Sequence, residues 1–329
     1  MTDPLAKTSN VAISTRGLTR CYGKRPVVNA LDLNVPRGCV YGLLGRNGAG
    51  KSTTIKMLTG MIQPDFGTAE LLGENIEQMT PATRARIAYV AEGHPMYGGM
   101  SIVAIERFQS SFYPNWNGEL FGQIVEHFGL SRKQKLRKLS NGQRAQVSLA
   151  LAIAPDPELL ILDDPTLGLD TVVRRDFLES MIQLIQREGR TILFSSHILG
   201  DVERVADRIG IMVDGVLRVD CPTDHFKESL RKVVLEFPGT PKVFPLTEGV
   251  VSDIAIGTRR ELVIANYSDA HREAIGALSP TTIDFVEFNL EDAFIAYTRG
   301  DQKPLPIFPQ PKQNNLNSTK PETVSSDSK

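Results

Sequence analysis

Gly45-Arg46-Asn47-Gly48-Ala49-Gly50-Lys51-Ser52 fits the phosphate-cradling pattern G-x-x-x-x-G-K-[ST]. The apolar run Val40 to Leu44 before it reads as a buried strand, and Thr53 to Thr59 after it reads as a helix stopped by Gly60. A loop between two such elements curls its backbone N–H groups around an anionic phosphate at the positive end of a helix. Glycines at 45, 48 and 50 permit close backbone approach, Lys51 supplies a point charge to the β- and γ-phosphates, and the Ser52 hydroxyl suits Mg²⁺. The nucleotide-binding residues are therefore Gly45, Arg46, Asn47, Gly48, Ala49, Gly50, Lys51, Ser52 and Thr53.

A phosphate cradle is shared by kinases, GTPases, helicases and transport ATPases, so other segments must choose among them. Leu159-Leu160-Ile161-Leu162-Asp163-Asp164 is an apolar run ending in two carboxylates. A strand buried on both faces of a parallel sheet has this composition, and carboxylates at its C-terminal edge lie where ligands bind in α/β folds. Asp163 would hold Mg²⁺ directly or through water, and Asp164 would orient or deprotonate the attacking water. A solvated acidic turn would explain an isolated Asp-Asp equally well; the neighbouring motifs favour the functional reading.

Leu139-Ser140-Asn141-Gly142-Gln143, followed by the helical run Arg144 to Ile153, resembles the signature L-S-G-G-Q of the ATP-binding cassette (ABC) family. The resemblance implies that Ser140, Gly142 and Gln143 contact the γ-phosphate of ATP held by an opposite subunit. Asn141 departs from the pattern, and Asn tolerates the left-handed backbone better than other non-glycine residues. Thr191 to His197 reads as a strand ending in His, and His197 resembles the family's switch histidine. Gly168-Leu169-Asp170 resembles its D-loop, which would run along the dimer interface. Ile87 to Glu92 resembles the strand leading into the Q-loop, with Glu92 where Gln is usual. Glu92 would reach Mg²⁺ or the water, adding a charge beside Asp163 and Asp164. Asp164 itself stands where the family usually has Glu. Tyr22 matches the aromatic on which adenine stacks, and His94, with no second His or Cys beside it, reads as a surface residue.

Lys and Arg total 37 against 38 Asp and Glu, a net charge of -1 that offers no general basic field for nucleic acid. The basic run Arg132 to Lys138 reads as a solvated helix face. Three scattered cysteines suit a reducing compartment. Met1-Thr2-Asp3-Pro4 shows no basic and apolar export signal, and no apolar run approaches the roughly 18 residues that span a bilayer. If this ATPase drives transport, a separate integral membrane permease must form the path, with this chain peripheral at the cytoplasmic face.

The expected architecture is α/β, a P-loop NTPase cassette of the ABC type spanning residues 1–228. It comprises a parallel core sheet, an antiparallel β layer carrying Tyr22, and a helical subdomain from Ser101 to about Leu139. Phe108, Phe112, Phe121, Ile124, Val125 and Phe128 would form the apolar face of that subdomain. Asp214-Gly215 marks a two-residue hairpin. Residues 229–300 read as a small α+β accessory domain, whose ending Asn289 to Thr298 resembles the S-L-E-D-x-F close of ABC-2 export ATPases. Residues 301–329 are rich in proline and polar side chains and read as a disordered tail.

These features imply an ATP-hydrolysing subunit binding MgATP between two head-to-tail copies, in a homodimer or with another ABC subunit. Two other classes stay open: a soluble non-transport ABC ATPase acting on ribosomes or DNA, and a hydrolysis-impaired ATP-sensing subunit. Soluble relatives usually carry two cassettes or a long coiled coil, and this chain shows one cassette and no extended heptads.

Overall fold

The computed structural model describes residues 10–186, 189–245, 248–286 and 290–298. The tail expected after residue 300 lies outside the described residues, as does Asn289. The chain opens with β1 (Val11–Tyr22), β2 (Arg25–Leu31) and β3 (Asn34–Pro36), then enters β4 (Val40–Gly45), whose six residues are all buried. The helix α1 (Lys51–Leu58) follows directly from the cradle. The next strands, β5 (Phe66–Leu71) and β6 (Glu74–Asn75), return to β1 and complete an antiparallel sheet of order β2-β1-β5-β6, with β3 beside β1. A short helix, α2 (Pro81–Arg84), is capped by the Thr80 side chain and leads into β7 (Ile87–Val90).

The middle of the chain supplies α3 (Ile102–Ser110), α4 (Gly118–His127), α5 (Asn141–Ile153), β8 (Leu159–Leu162), α6 (Thr171–Gln186), β9 (Thr191–Ser196), α7 (Leu199–Val205), β10 (Arg208–Val213) and β11 (Val216–Pro222). The core sheet runs β11-β10-β4-β9-β8-β7, parallel except for the β10–β11 hairpin. Asp214 and Gly215 turn that hairpin at φ 49° and 81°, the left-handed pair a two-residue turn needs.

Period-two alternation divides the core sheet's side chains between two layers. Val40, Leu44, Leu160, Leu162, Ile192 and Phe194 face the helical core. Tyr41, Leu43, Leu159, Ile161 and Leu193 face the antiparallel layer, where Ile13, Leu18 and Leu31 meet them. Because both faces are covered, β4, β8 and the Ile192 to Phe194 stretch of β9 are apolar, with the functional polar groups at or just beyond their C-terminal ends and Thr191 opening β9. Gly42 lets α7 press on β4, since a Cβ there would sit 2.4 Å from Val202 Cγ1.

The helical subdomain differs from expectation in two respects. Phe121, Ile124 and Val125 are buried, but Phe108 and Phe112 are 43% and 66% exposed. The chain breaks between α3 and α4, and α3 buries Ile102, Ile105 and Glu106, which turns Phe108 to the opposite side. Arg132, Lys133, Lys135, Arg137 and Lys138 are exposed, but the run is not an α-helix and its Leu136 is buried in the core. Lys135 bridges to Ser101, and Leu136–Lys138 forms a single 3-10 turn.

Beyond β11 come α8 (Thr223–Ser229), β12 (Leu230–Glu236), β13 (Val250–Ile256), β14 (Arg259–Ala265), α9 (Asp269–Ala277), β15 (Thr282–Val286) and α10 (Leu290–Thr298). The four strands make an antiparallel sheet, β13-β14-β12-β15, with a core of Val233, Leu235, Leu262, Ile264 and Ile275. The last helix folds back: Ala293 and Phe294 join the main core, and Tyr297 lies 5.7 Å from the Phe226 ring.

Candidate nucleotide site

The cradle is strand, loop and helix in the order its chemistry needs. Gly50 precedes α1 at φ 104°, and a Cβ there would lie 2.6 Å from the Val27 carbonyl, so only glycine fits. Lys51 is 7% exposed, and its Nζ donates to the carbonyls of Gly45 at 2.7 Å and Arg46 at 3.4 Å. Burial pulls the Lys51 pKa down, opposed by the charges of Asp164, Asp163 and Glu92. Ser52, Glu92, Asp164, Asn47, Gly48, Ala49, Gly50, Lys51 and Thr53 all line one cavity of about 300 Å³. Val27 and Leu167 line it too. Sequence reasoning missed both, because nothing marks them out from other apolar residues in a strand and a turn.

At the end of β8 the two carboxylates take different environments. Asp163 is fully buried, and its Oδ1 accepts from Ser52 Oγ at 3.0 Å and Ser195 Oγ at 2.9 Å. The Ser195 hydroxyl also accepts the Asp164 backbone N–H at 2.9 Å, so β9 braces both acids. Asp164 has a left-handed backbone, φ 41°. Its Oδ2 accepts from His197 Nδ1–H at 2.6 Å, while its Oδ1 is buried with no hydrogen-bond partner. A buried carboxylate oxygen without a donor is costly and marks a group held ready for something outside the protein.

The turn after Asp164 is also fixed. Thr166 Oγ1 donates to Asp201 Oδ2 at 2.9 Å, and Arg174 on α6 lies 3.2 Å from Asp201 Oδ1. Burial raises the Asp201 pKa; Thr166 and Arg174 act against that. Asp170 caps α6, its Oδ1 accepting from the backbone N–H of Val172 and Val173.

Other expected residues stand apart from the cavity. Tyr22 is 52% exposed at the end of β1, with the Arg20 guanidinium 5.2 Å from its ring. Ser140 caps α5: its Oγ accepts from Gln143 N–H, and Gln143 Oε1 accepts from Ser140 N–H. Gly142 meets α6, where a Cβ would lie 2.6 Å from Val173 Cγ1. Asn141 is the first residue of α5 and has no positive φ, so tolerance of a left-handed backbone is not what keeps this loop in shape. Neither Tyr22 nor the signature lines the cavity of its own chain.

His94 is a correction. It is 3% exposed rather than on the surface, sits at φ 50°, and its Nε2 lies 3.0 Å from the Pro165 carbonyl. Burial pushes its pKa down, with the Pro165 carbonyl acting in the opposite sense. An isolated His gives no sequence signal of such burial.

A family model described as ABC transporter matches residues 28–167. The bacitracin transport ATP-binding protein BcrA of Bacillus licheniformis is 36% identical over 227 residues, covering 68% of this chain and 74% of that protein. The daunorubicin/doxorubicin resistance ATP-binding protein DrrA of Streptomyces peucetius is 36% identical over 230 residues, covering 68% of this chain and 69% of its own. A solved ATP-binding subunit of an ABC transporter matches with a TM-score of 0.60 at 27% identity, covering 66% of this chain and 92% of that one. Identity of this order over more than two thirds of both chains, on the same cassette fold, shows that this chain belongs to the ABC transporter family, as an ATP-hydrolysing subunit of the ABC-2 exporter type.

Proposed function

We propose that this chain binds MgATP between two head-to-tail cassettes, its own copy or another ABC subunit, and transmits their closure to a separate integral membrane permease. The observation that carries the reading is the linked set Ser52–Asp163–Ser195–Asp164–His197, which reaches the phosphate cradle at Ser52 and Asp164. Ser140, Gly142 and Gln143 stand outside that cavity, which supports their serving a nucleotide on the partner cassette. Tyr22 would stack the adenine beside it. Residues 1–228 would form the cassette, with 229–300 as an accessory domain and 301–329 as a tail.

The residues present fit Mg²⁺. Among the described residues no three His, Cys, Asp or Glu side chains gather as a metal site. Mg²⁺ characteristically takes only one or two carboxylates and completes its shell with phosphate oxygens and water. Ser52 and Asp163 would hold it, with Glu92 at the rim of the same cavity. When bound, the ion neutralises charge on the β- and γ-phosphate oxygens. Lys51 would bind those phosphates, the unpartnered Asp164 Oδ1 would orient the attacking water or take its proton, and His197 holds the Asp164 carboxylate at its Oδ2.

A second cavity of about 380 Å³ supports the permease. Its wall includes Tyr89 on β7 and, beyond Glu92, Met96, Tyr97, Phe108 and Phe112. Tyr97, Phe108 and Phe112 stack edge to face and remain largely exposed. Exposed aromatics gathered in one patch mark an interaction site. Among the described residues no helix is long and apolar enough to cross a membrane; the chain would attach peripherally, at the cytoplasmic face, through the permease. The test is purification of the chain from native membranes with mass spectrometry of what accompanies it, and ATPase assay of the product. Recovery of an active ATPase with no integral membrane protein attached would contradict the permease.

A further inference from the structure

His94 lines the aromatic cavity and not the nucleotide cavity, yet it touches the turn that carries Asp164. It lines the aromatic groove, and its Nε2 lies 3.0 Å from the carbonyl oxygen of Pro165, the residue joined by a peptide bond to Asp164. A carbonyl only accepts, so the hydrogen of this bond is on Nε2. In a neutral imidazole the other nitrogen is then a bare acceptor. That atom, Nδ1, is buried with no partner, in a residue only 3% exposed. Unsatisfied acceptors at such depth are rare, because leaving one unpaired costs about 1–3 kcal/mol. The backbone there is also left-handed, φ 50°, which a non-glycine residue adopts only where its surroundings hold it.

We propose that His94 is a positioning residue between the groove and the hydrolytic carboxylate: Nε2–H holds the Asp164–Pro165 turn, and Nδ1 awaits a hydrogen-bond donor carried by the segment that enters the groove. The occupant is a short, largely apolar segment of the permease bearing one hydroxyl, amide or ammonium donor. Aromatic walls select its apolar body, and the lone acceptor selects the donor. A donor arriving at Nδ1 withdraws density from the ring and strengthens Nε2–H as a donor, since linked hydrogen bonds polarise one another. The Pro165 carbonyl is then held more tightly, and with it Asp164, whose Oδ1 has no protein partner. No proton moves between molecules and no bond is made or broken. The inference rests on the proposed permease-driving ATPase and adds to it the residue that links the two sites.

Two substitutions differing by one methylene test this on the full chain. Asn tolerates the left-handed backbone, but its amide stops short of Pro165; Gln reaches farther and keeps both a donor and an acceptor. We expect His94→Asn to lower kcat about tenfold with the KM for ATP unchanged within twofold, and His94→Gln to recover most of the loss. A displacement of about 1 Å at the reacting centre costs on the order of a hundredfold, so a smaller shift passed on through the Pro165 turn gives an effect of this size. Long-range ¹H–¹⁵N correlation of the wild-type ring should place the proton on Nε2. In the complex co-purified with its permease from native membranes, His94→Asn should lose most of the permease stimulation of ATPase rate, and His94→Gln should retain it. The inference is overturned if the proton is on Nδ1, if Asn and Gln are equally impaired as a packing role requires, or if permease stimulation is unchanged in His94→Asn. A wild-type rate in His94→Asn, beside an inactive Lys51→Ala, would remove the role of His94 and leave the ATPase reading standing.

Discussion

His197 Nδ1 lies 2.6 Å from Asp164 Oδ2, while the other oxygen of the same carboxylate is buried without a partner. One side chain is thus divided between an orienting bond and a free acceptor, the arrangement a general base needs. The left-handed Asp164 backbone and the Ser195 hydroxyl on its N–H fix the carboxylate from behind.

Asp is one methylene shorter than the Glu usual in this family, so its oxygen falls about 1 Å short of the water unless the backbone compensates. A displacement of that order costs on the order of a hundredfold in rate. We expect slow hydrolysis by the wild type, still slower hydrolysis by Asp164→Asn with ATP retained in a closed dimer, and faster hydrolysis by Asp164→Glu. Single-turnover rates at saturating MgATP measure all three. Equal rates for wild type and Asp164→Asn would remove Asp164 from the base role.

Lys51→Ala should abolish tight ATP binding while leaving the fold intact. Its ammonium donates to the Gly45 and Arg46 carbonyls, and burial already disfavours its charge. Equilibrium binding of fluorescent ATP and a thermal melt separate the two effects; retained wild-type affinity contradicts the assignment.

What was legible in the sequence was local. The cradle, the acidic strand, the His197 strand and the Asp214-Gly215 turn each write their geometry into consecutive residues, and the structure has them as read. The strands at Val250–Ile256 and Arg259–Ala265 were visible for the same reason. His94, Phe108 and Phe112 were not, because their burial is set by what packs against them from distant segments. Two phenylalanines at helical spacing look like core, and only the break between α3 and α4 turns them outward. The inward fold of α10 was hidden too: Ala293 and Phe294 read as the end of an appendage, yet they pack in the main core.

Ser195→Ala should do more harm than loss of one hydroxyl usually does. Its Oγ donates to Asp163 Oδ1 and accepts Asp164 N–H, so the change leaves a buried N–H unpaired, at about 1–3 kcal/mol. Lower unfolding stability by chemical denaturation and a reduced kcat should appear together. A stable protein with a normal rate would show that the brace is dispensable.

Cys39 should resist alkylation in the native state. Burial and then Asp207 push its thiol up to about 11 from 9.0, so little thiolate forms at pH 8.5. The raised value also means stability is kept below pH 9 and falls as pH rises from 9 through 11, since the unfolded chain loses this proton first. Mass spectrometry after brief iodoacetamide treatment should find Cys39 unmodified; rapid native labelling would contradict its burial.

The most discriminating substitution lies in the signature. Gly142→Ala would place a methyl group 2.6 Å from Val173 Cγ1, forcing α5 and α6 apart by a few tenths of an ångström or more. Overpacking of this kind costs about 1–3 kcal/mol. The shift would also move Ser140, whose capping box is tied to the same first turn of α5. We expect Gly142→Ala to reduce thermal stability and ATP-dependent dimerisation while leaving monomer ATP affinity unchanged, because the cradle stands elsewhere. Val173→Ala removes the methyl group that Gly142→Ala strikes, so the double substitution should recover stability by more than additivity allows. Recovery of dimerisation along with stability would assign the glycine to helix packing. Recovery of stability alone would leave it a direct role at the partner's nucleotide. No recovery of either would mean that Val173 is not the contact that requires glycine at this position.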